Sequence, residues 1–352
     1  MNERASPHTA PPDGGHRGGA RPSARDVPAE LSIAIETAAV AIARQAGEAL
    51  LAYYAGPLQV RFKSKQDADP VTEADVAIEA LVRREVAARF PDHGVVGEEG
   101  ADPLTLPPVL WVVDPLDGTA NFANALPIFA VSIGVLYRGE PLAAALFTTF
   151  GPDGRACVLH ARAGGGLKLD GKAYAPRERT LSHRARLAGV PAGFHKTFAM
   201  WRLRGKLPGE TRSLGSTAAE LGLVATGTLQ YAVFASPRIW DVAAGVLLVS
   251  ESGGAVFTDQ RRRWQHLSRF EPPPGKPLRE WKQAVIAGDA RLLYKTVGKV
   301  RVRRSPAERA RALLGPTWWS RLGRPVLLGR RAAAVASRWL PWTRRVVRRR
   351  RA

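Results

Sequence analysis

Cysteine is almost absent from this chain: Cys157 is the only one in 352 residues. No intramolecular disulfide can form, which suits a reducing, cytoplasmic compartment. No apolar run approaches the roughly 18 residues of a membrane-spanning helix. The opening stretch, MNERASPHTAPPDGGHRGGARPSARD, has no apolar segment of the secretory kind. No unit repeats at 20–50 residues, the usual period of solenoids. The seven histidines show no metal-ligand spacing, and three of them (His8, His16, His183) fall in segments read here as disordered or linking. Neither a dinucleotide fingerprint nor a P-loop is present; AGGGLKLDGK matches neither. Acidic residues are scarce at one end. Residues 301–352 hold 16 arginines against Glu308 alone, a net of +15 out of the chain's +21. The rest of the chain is therefore only mildly basic.

What is present is an ordered core of moderate size. Apolar residues make up 45% of the chain, enough for one large domain or two smaller ones. Residues 1–28, rich in Pro, Gly, Arg and Ala, read as disordered. Residues 29–55 have helical spacing and stop at Gly56-Pro57. A second helix starts near Thr72, with Asp75 three residues on as in a capping box, and ends before Pro91. HGVVGEEG and VLWVVD read as strands, and residues 128–150 as a hairpin turning at Arg138-Gly139-Glu140. Beyond a polar boundary near 176–186, strands alternate with the helices STAAELGLVATG and DVAAGVLLVSESGG. This gives an α+β first half (29–185), an α/β second half (186–297) and an Arg/Trp-rich tail (298–352).

The chemistry centres on WVVDPLDGTANFA, residues 111–123. An apolar strand leads into Asp114 and Asp117, and Gly118-Thr119 follows. On its own, D-P-L-D-G fits a turn with an aspartate helix cap. It equally fits a site in which glycine and free helix-start N–H groups receive a phosphate. Two carboxylates beside such a nest repel a phosphate unless cations intervene, and hard oxygen ligands point to Mg²⁺.

Three stretches taken together, GEE (97–99), DPLDGTANF (114–122) and WDVAAG (240–245), resemble the inositol monophosphatase superfamily of Mg²⁺-dependent, lithium-sensitive phosphomonoesterases. The resemblance implies the layered αβαβα sugar-phosphatase fold over roughly 29–297, and it implies roles. Glu98, Asp114 and the Leu116 carbonyl would hold one Mg²⁺. Asp114, Asp117 and Asp241 would hold a second, and a third would sit near Glu98. The Gly118 and Thr119 amides would bind phosphate. Asp75 and the Thr119 hydroxyl would orient and deprotonate the attacking water, and Glu99 would stand further out. Inositol 1-phosphate is the default substrate, with a fructose 1,6-bisphosphatase or 3′(2′),5′-bisphosphate nucleotidase as alternatives. A dimer is expected on the same ground. An inactive homologue acting through its tail is the non-enzymatic alternative.

The chain departs from the inositol-specific pattern in its second half. Ser216 and Thr217 occupy the expected substrate loop, but the glutamate expected seven residues before Asp241 is Phe234. A phenylalanine accepts no hydrogen bond from a hydroxyl, so Phe234 reads either as a ring-stacking substrate contact or as core packing. Arg238 and Arg212 are candidates for a second phosphate or for solvated surface. In the tail, residues 316–352 interleave Trp318, Trp319, Trp339 and Trp342 with arginines. That pattern suits an anionic membrane surface. Nucleic-acid binding and a plain solubility tail are the alternatives.

Overall fold

The computed structural model describes residues 23–56, 60–62, 70–103, 105–176, 181–200, 209–260 and 263–303. The Arg/Trp-rich stretch 316–352, with its membrane reading, lies outside the described residues, as do residues 1–22.

The chain opens with helix α1 (Ala29–Ala55), closed by Gly56. A short hairpin, β1 (Val60–Phe62) and β2 (Pro70–Thr72), leads into α2 (Glu73–Arg89). The first sheet follows: β3 (Gly94–Gly97), β4 (Val109–Asp117), β5 (Ala130–Tyr137), β6 (Glu140–Thr148), β7 (Cys157–Arg162), β8 (Lys168–Leu169) and β9 (Lys172–Ala173). Helix α3 (Thr119–Ala123) stands between β4 and β5. The seven strands lie in sequence order, β3 parallel to β4 and the rest antiparallel. The β5–β6 hairpin turns at Arg138 (φ 50°) and Gly139 (φ 86°). Two left-handed residues give the turn a twist that matches the flanking strands.

The second sheet has the order β12-β10-β13-β16-β14-β15. Its members are β10 (Leu187–Gly189), β12 (Glu210–Arg212), β13 (Leu229–Phe234), β14 (Gly254–Gln260), β15 (Arg263–His266) and β16 (Val285–Asp289). The pair β11 (Phe198–Met200) and β17 (Val300–Val302) stands apart from it. Among the described residues, helices α4 (Phe194–Thr197), α5 (Thr217–Ala225), α6 (Ile239–Glu251) and α7 (Ala290–Thr296) complete the fold.

Three apolar clusters stack these elements in five layers. On one face of the first sheet, Trp111, Val113, Val131 and Ile133 meet Ile35 and Ile42 of α1 and Ile78 and Val82 of α2. On its other face, Leu110, Val112 and Leu146 meet Leu221 of α5 and Val242 and Val246 of α6, which also pack on Val256, Val285 and Ala287 of the second sheet. The outer face of that sheet, with Tyr231, Val233 and Ile286, carries Phe194 and Leu292. The architecture is αβαβα. Position explains composition: α1 has one wet face and is amphipathic, whereas α6 lies between two sheets and is apolar nearly all round. Strands β4 to β6 are covered on both faces and read as continuous apolar runs. Gly134 lets α6 approach β5, since a Cβ there would sit 2.8 Å from Ala243.

Two boundaries differ from the sequence reading. Residues 23–28 are not part of a disordered segment: Ser23 and Asp26 cap a 3₁₀ turn, and the Glu140 carboxylate accepts hydrogen bonds from the Ser23 hydroxyl and the Ala24 N–H. At the other end, residues 300–302, set apart as tail, pair with β11.

A buried ion cluster ties α1 to the first sheet. Glu36 Oε1 lies 2.8 Å from His160 Nδ1 and 2.9 Å from Lys168 Nζ. Burial pushes the Glu36 carboxyl up, but the hydrogen bonds and charges of His160 and Lys168 outweigh it. The net result is a value below the ordinary 4.5. A carboxyl held low in the folded state stabilises above its unfolded pKa, and that stability is lost as pH falls through the folded value. Urea unfolding from pH 7 to 3 should show this loss setting in below about pH 4.5. Glu36→Gln should cost about 2 kcal/mol at pH 7 and flatten the acid limb. An unchanged acid limb in Glu36→Gln would contradict this assignment.

Candidate active site

Strand β4 carries Asp114 and Asp117, and simple alternation would put residues three apart on opposite faces. The register shifts between them: Asp114 pairs with Ser132, Asp117 with Ala130. Three steps on β4 match two on β5, so one extra residue is accommodated as a bulge. The bulge turns both aspartates to the same cavity, which is lined by both. Asp114 is 2% exposed, and its Oδ1 accepts the Leu116 N–H at 3.0 Å. Gly118 then adopts φ 98°, where a Cβ would come within 2.9 Å of the Ile128 carbonyl oxygen. Thr119 opens α3, its hydroxyl donating to the Leu116 carbonyl at 3.0 Å.

The second half of the chain is joined to this turn through Asp117. Its Oδ2 accepts from the Ser216 hydroxyl and the Ala218 N–H, both at 2.5 Å, so the carboxylate caps the start of α5. Asn121 adds a tie, donating to the carbonyls of Ile128 and Leu214. At the start of α6, Asp241 Oδ2 accepts the Arg238 N–H at 2.7 Å, which fixes the side chain at the helix start.

These groups line a cavity of about 460 Å³. Glu98, Asp114, Asp117 and Asp241 form its acidic wall, with Leu116, Gly118 and Thr119 beside them. Arg238, Trp240, Arg279 and Glu280 form the rest. Burial pushes Asp114 well above the ordinary carboxylate range, and the charges of Asp117, Glu98 and Asp241 push further. Asp117 is also raised by burial, against the pull of Ser216 and the α5 amides. Asp241 is raised to about 7, by burial first and then by the Asp117 charge, while a hydrogen bond with Asp114 works the other way. Two carboxyls in hydrogen-bond contact require a proton or a cation between them. Hard oxygen donors packed this closely fit Mg²⁺. Among the described residues no three acidic, His or Cys side chains already enclose an ion-sized point.

The sequence-derived residues divide into three groups. Glu98, Asp114, Leu116, Asp117, Gly118, Thr119 and Asp241 come together at the cavity wall. Asp75, in the first turn of α2, is buried at 1% exposure and is not part of that wall. Ser216 and Thr217 stand behind Asp117 at the start of α5; the Ser216 hydroxyl is spent on Asp117 rather than on the cavity. Phe234, left above between a substrate contact and core packing, is a core residue: 7% exposed, paired with Val285 and absent from the cavity lining. The sequence reading missed Trp240, Arg279 and Glu280. It also missed Glu220, whose carboxyl accepts the Leu214 N–H and is pushed up to about 7 by burial.

Residues 34–297 match the inositol monophosphatase family. The chain belongs to that family. Its class is accordingly that of a phosphoric monoester hydrolase. Phosphatase IMPL1, chloroplastic, of Arabidopsis thaliana is 35% identical over 252 residues, which cover 68% of this chain and 65% of the relative. Nus factor SuhB of Escherichia coli is 35% identical over 224 residues, 62% of this chain and 82% of that protein. Among solved structures, the extragenic suppressor protein suhB from Bartonella henselae superposes with a TM-score of 0.60 at 27% identity, covering 74% of this chain and 96% of that one. The layered sugar-phosphatase fold read from the motifs is the one these relatives share. Among the described residues no helix is long and apolar enough to cross a membrane.

Proposed function

We propose that this inositol monophosphatase family member hydrolyses a small phosphate ester, inositol 1-phosphate by default, with Mg²⁺ held in the carboxylate cavity. One observation carries the reading: four carboxylates from three separate segments meet a glycine turn at a single cavity. Glu98, Asp114 and the Leu116 carbonyl would hold one ion, and Asp114, Asp117 and Asp241 a second, with a third near Glu98. Bound Mg²⁺ supplies charge neutralisation for the phosphate oxygens and an activated water. The chain's own groups do the positioning. Gly118 and Thr119 would present backbone N–H groups to the phosphate, and the missing Cβ at 118 lets the turn pack against the Ile128 carbonyl in its left-handed conformation. Leu116 holds the Thr119 hydroxyl at the cavity wall, where it would orient the attacking water.

A second reading, a bisphosphate substrate, is favoured by the far wall. The guanidinium of Arg238 lies 5.9 Å from the Trp240 ring centroid and faces the cavity. With Phe234 withdrawn into the core, selection of the alcohol part would fall to groups of the far wall, Arg238, Trp240 and Glu280 among them. Phosphate release should be measured over inositol 1-phosphate, fructose 1,6-bisphosphate and 3′-phosphoadenosine 5′-phosphate. Preference for inositol 1-phosphate supports the default, preference for either bisphosphate supports the second reading, and no release from any overturns both.

A further inference from the structure

We infer that Arg279 and Glu79 are positioning residues that clamp the loop carrying Glu98 and thereby set Mg²⁺ affinity; this rests on the metal reading proposed above. Glu98 belongs to a loop, not to a strand or helix: β3 ends at Gly97, and the chain is irregular beyond it. A metal-binding carboxylate on a loop binds well only if something rigid fixes that loop. Here two oppositely charged side chains, neither next to it in sequence, hold its backbone from both sides.

Glu79 comes from α2 and is 2% exposed. Its Oε2 accepts the Glu99 N–H and its Oε1 the Gly100 N–H, each at 2.7 Å. Arg83, one turn on, donates from Nε to Oε1 at 2.8 Å. The flanking glycines make room for this grip, because a Cβ at Gly97 or Gly100 would lie 2.5 Å from the Glu79 carboxylate. G-E-E-G is therefore shaped by Glu79 as much as by any ligand.

Arg279 reaches the same loop from the far end of the chain. Its guanidinium donates to the carbonyls of Gly97, Glu98 and Gly100, each at 3.2 Å, and lies 3.5 Å from Asp102 Oδ1. It also lies 5.9 Å from the centroid of the Trp240 ring, and Trp240 precedes Asp241. Arg279 thus touches both the Glu98 loop and the residue beside Asp241, so it fixes the separation of two carboxylates contributed by different halves of the chain. Its five-donor planar fork spans carbonyls spread along the loop, which a lysine's compact ammonium reaches less well. Arg279 binds loop carbonyls and Glu79 loop N–H groups, so both hold the backbone that carries Glu98 rather than its carboxylate.

Losing a residue that holds a metal ligand in place without touching the ion typically costs about 10–100-fold in affinity. The test is Mg²⁺ titration by calorimetry on the full chain, with Arg279→Lys, Arg279→Gln and Glu79→Gln beside the wild type, and a thermal melt of each. Arg279 is 29% exposed and Glu79 is buried, so the Arg279 variants are the gentler arm, and the melts show which variants are folded. We expect Mg²⁺ affinity to fall about tenfold or more in Arg279→Gln. Lysine should restore only part of it, and excess Mg²⁺ should recover kcat. Affinity within twofold of wild type in folded Arg279→Gln overturns the clamp while leaving the metal reading standing. A wild type that takes up no Mg²⁺ overturns the metal reading, and the clamp with it.

Discussion

Asp114→Asn is expected to abolish phosphate release while making the metal-free protein more, not less, stable. The loss should reach about 10³-fold or beyond, corresponding to about 4 kcal/mol, the scale of a metal-assisted charge contribution. The gain follows from crowding. Asp114 is buried against the charges of Asp117, Glu98 and Asp241. An asparagine keeps the bond to the Leu116 N–H through its carbonyl oxygen and offers an N–H to Asp241, where a second carboxyl stood before. Sites assembled from like charges trade stability for function, and relieving one charge commonly returns about 1 kcal/mol. In EDTA the thermal midpoint should rise by about 2 °C. Saturating Mg²⁺ should reverse the order, since the wild type gains more from the ion. A variant that melts lower than wild type in EDTA would show that repulsion among these carboxylates is not what the fold tolerates at this site.

Phe234→Glu restores the residue type that the family resemblance leads one to expect there, yet it should destabilise rather than redirect the protein. The side chain lies in the apolar layer between the sheets with Leu229, Ile239 and Val285, and it pairs across β13–β16. Replacing the ring leaves a void, and the new carboxylate is buried without a partner. Together these cost about 3 kcal/mol or more. The thermal midpoint should drop by about 6 °C or more. A stable Phe234→Glu protein with a lower KM for inositol 1-phosphate would return residue 234 to the substrate site.

Local features were legible in the sequence, and distant ones were not. The stop of α1 at Gly56, the turn at Arg138-Gly139 and the D-P-L-D-G-T run depend on neighbours along the chain. Counting back seven from Asp241 reaches Phe234, but counting does not tell which way its side chain points. β13 is buried on both faces, so no polar alternation marks a site-facing side. The role of Ser216 was equally hidden, because its partner Asp117 lies 99 residues away. Arg279 grips a carbonyl 182 residues upstream, and nothing local to R-E-W announces it. The short edge strand β12, Glu-Thr-Arg, carries little apolar patterning and owes its state to β10. By contrast, the 3₁₀ turn at Ala24–Asp26 had a signal, the Ser23…Asp26 capping pair, obscured by the Pro/Gly-rich composition around it.

The central claim is that the carboxylate cavity is a metal-dependent phosphatase site. Its most direct test is a titration of phosphate release from inositol 1-phosphate with Mg²⁺, from EDTA to millimolar ion, with Asp114→Asn as the blank. The account predicts no release in EDTA, a saturable rise with Mg²⁺ in the wild type and a flat line in the variant. Release that persists in EDTA, or that survives in Asp114→Asn, would contradict it.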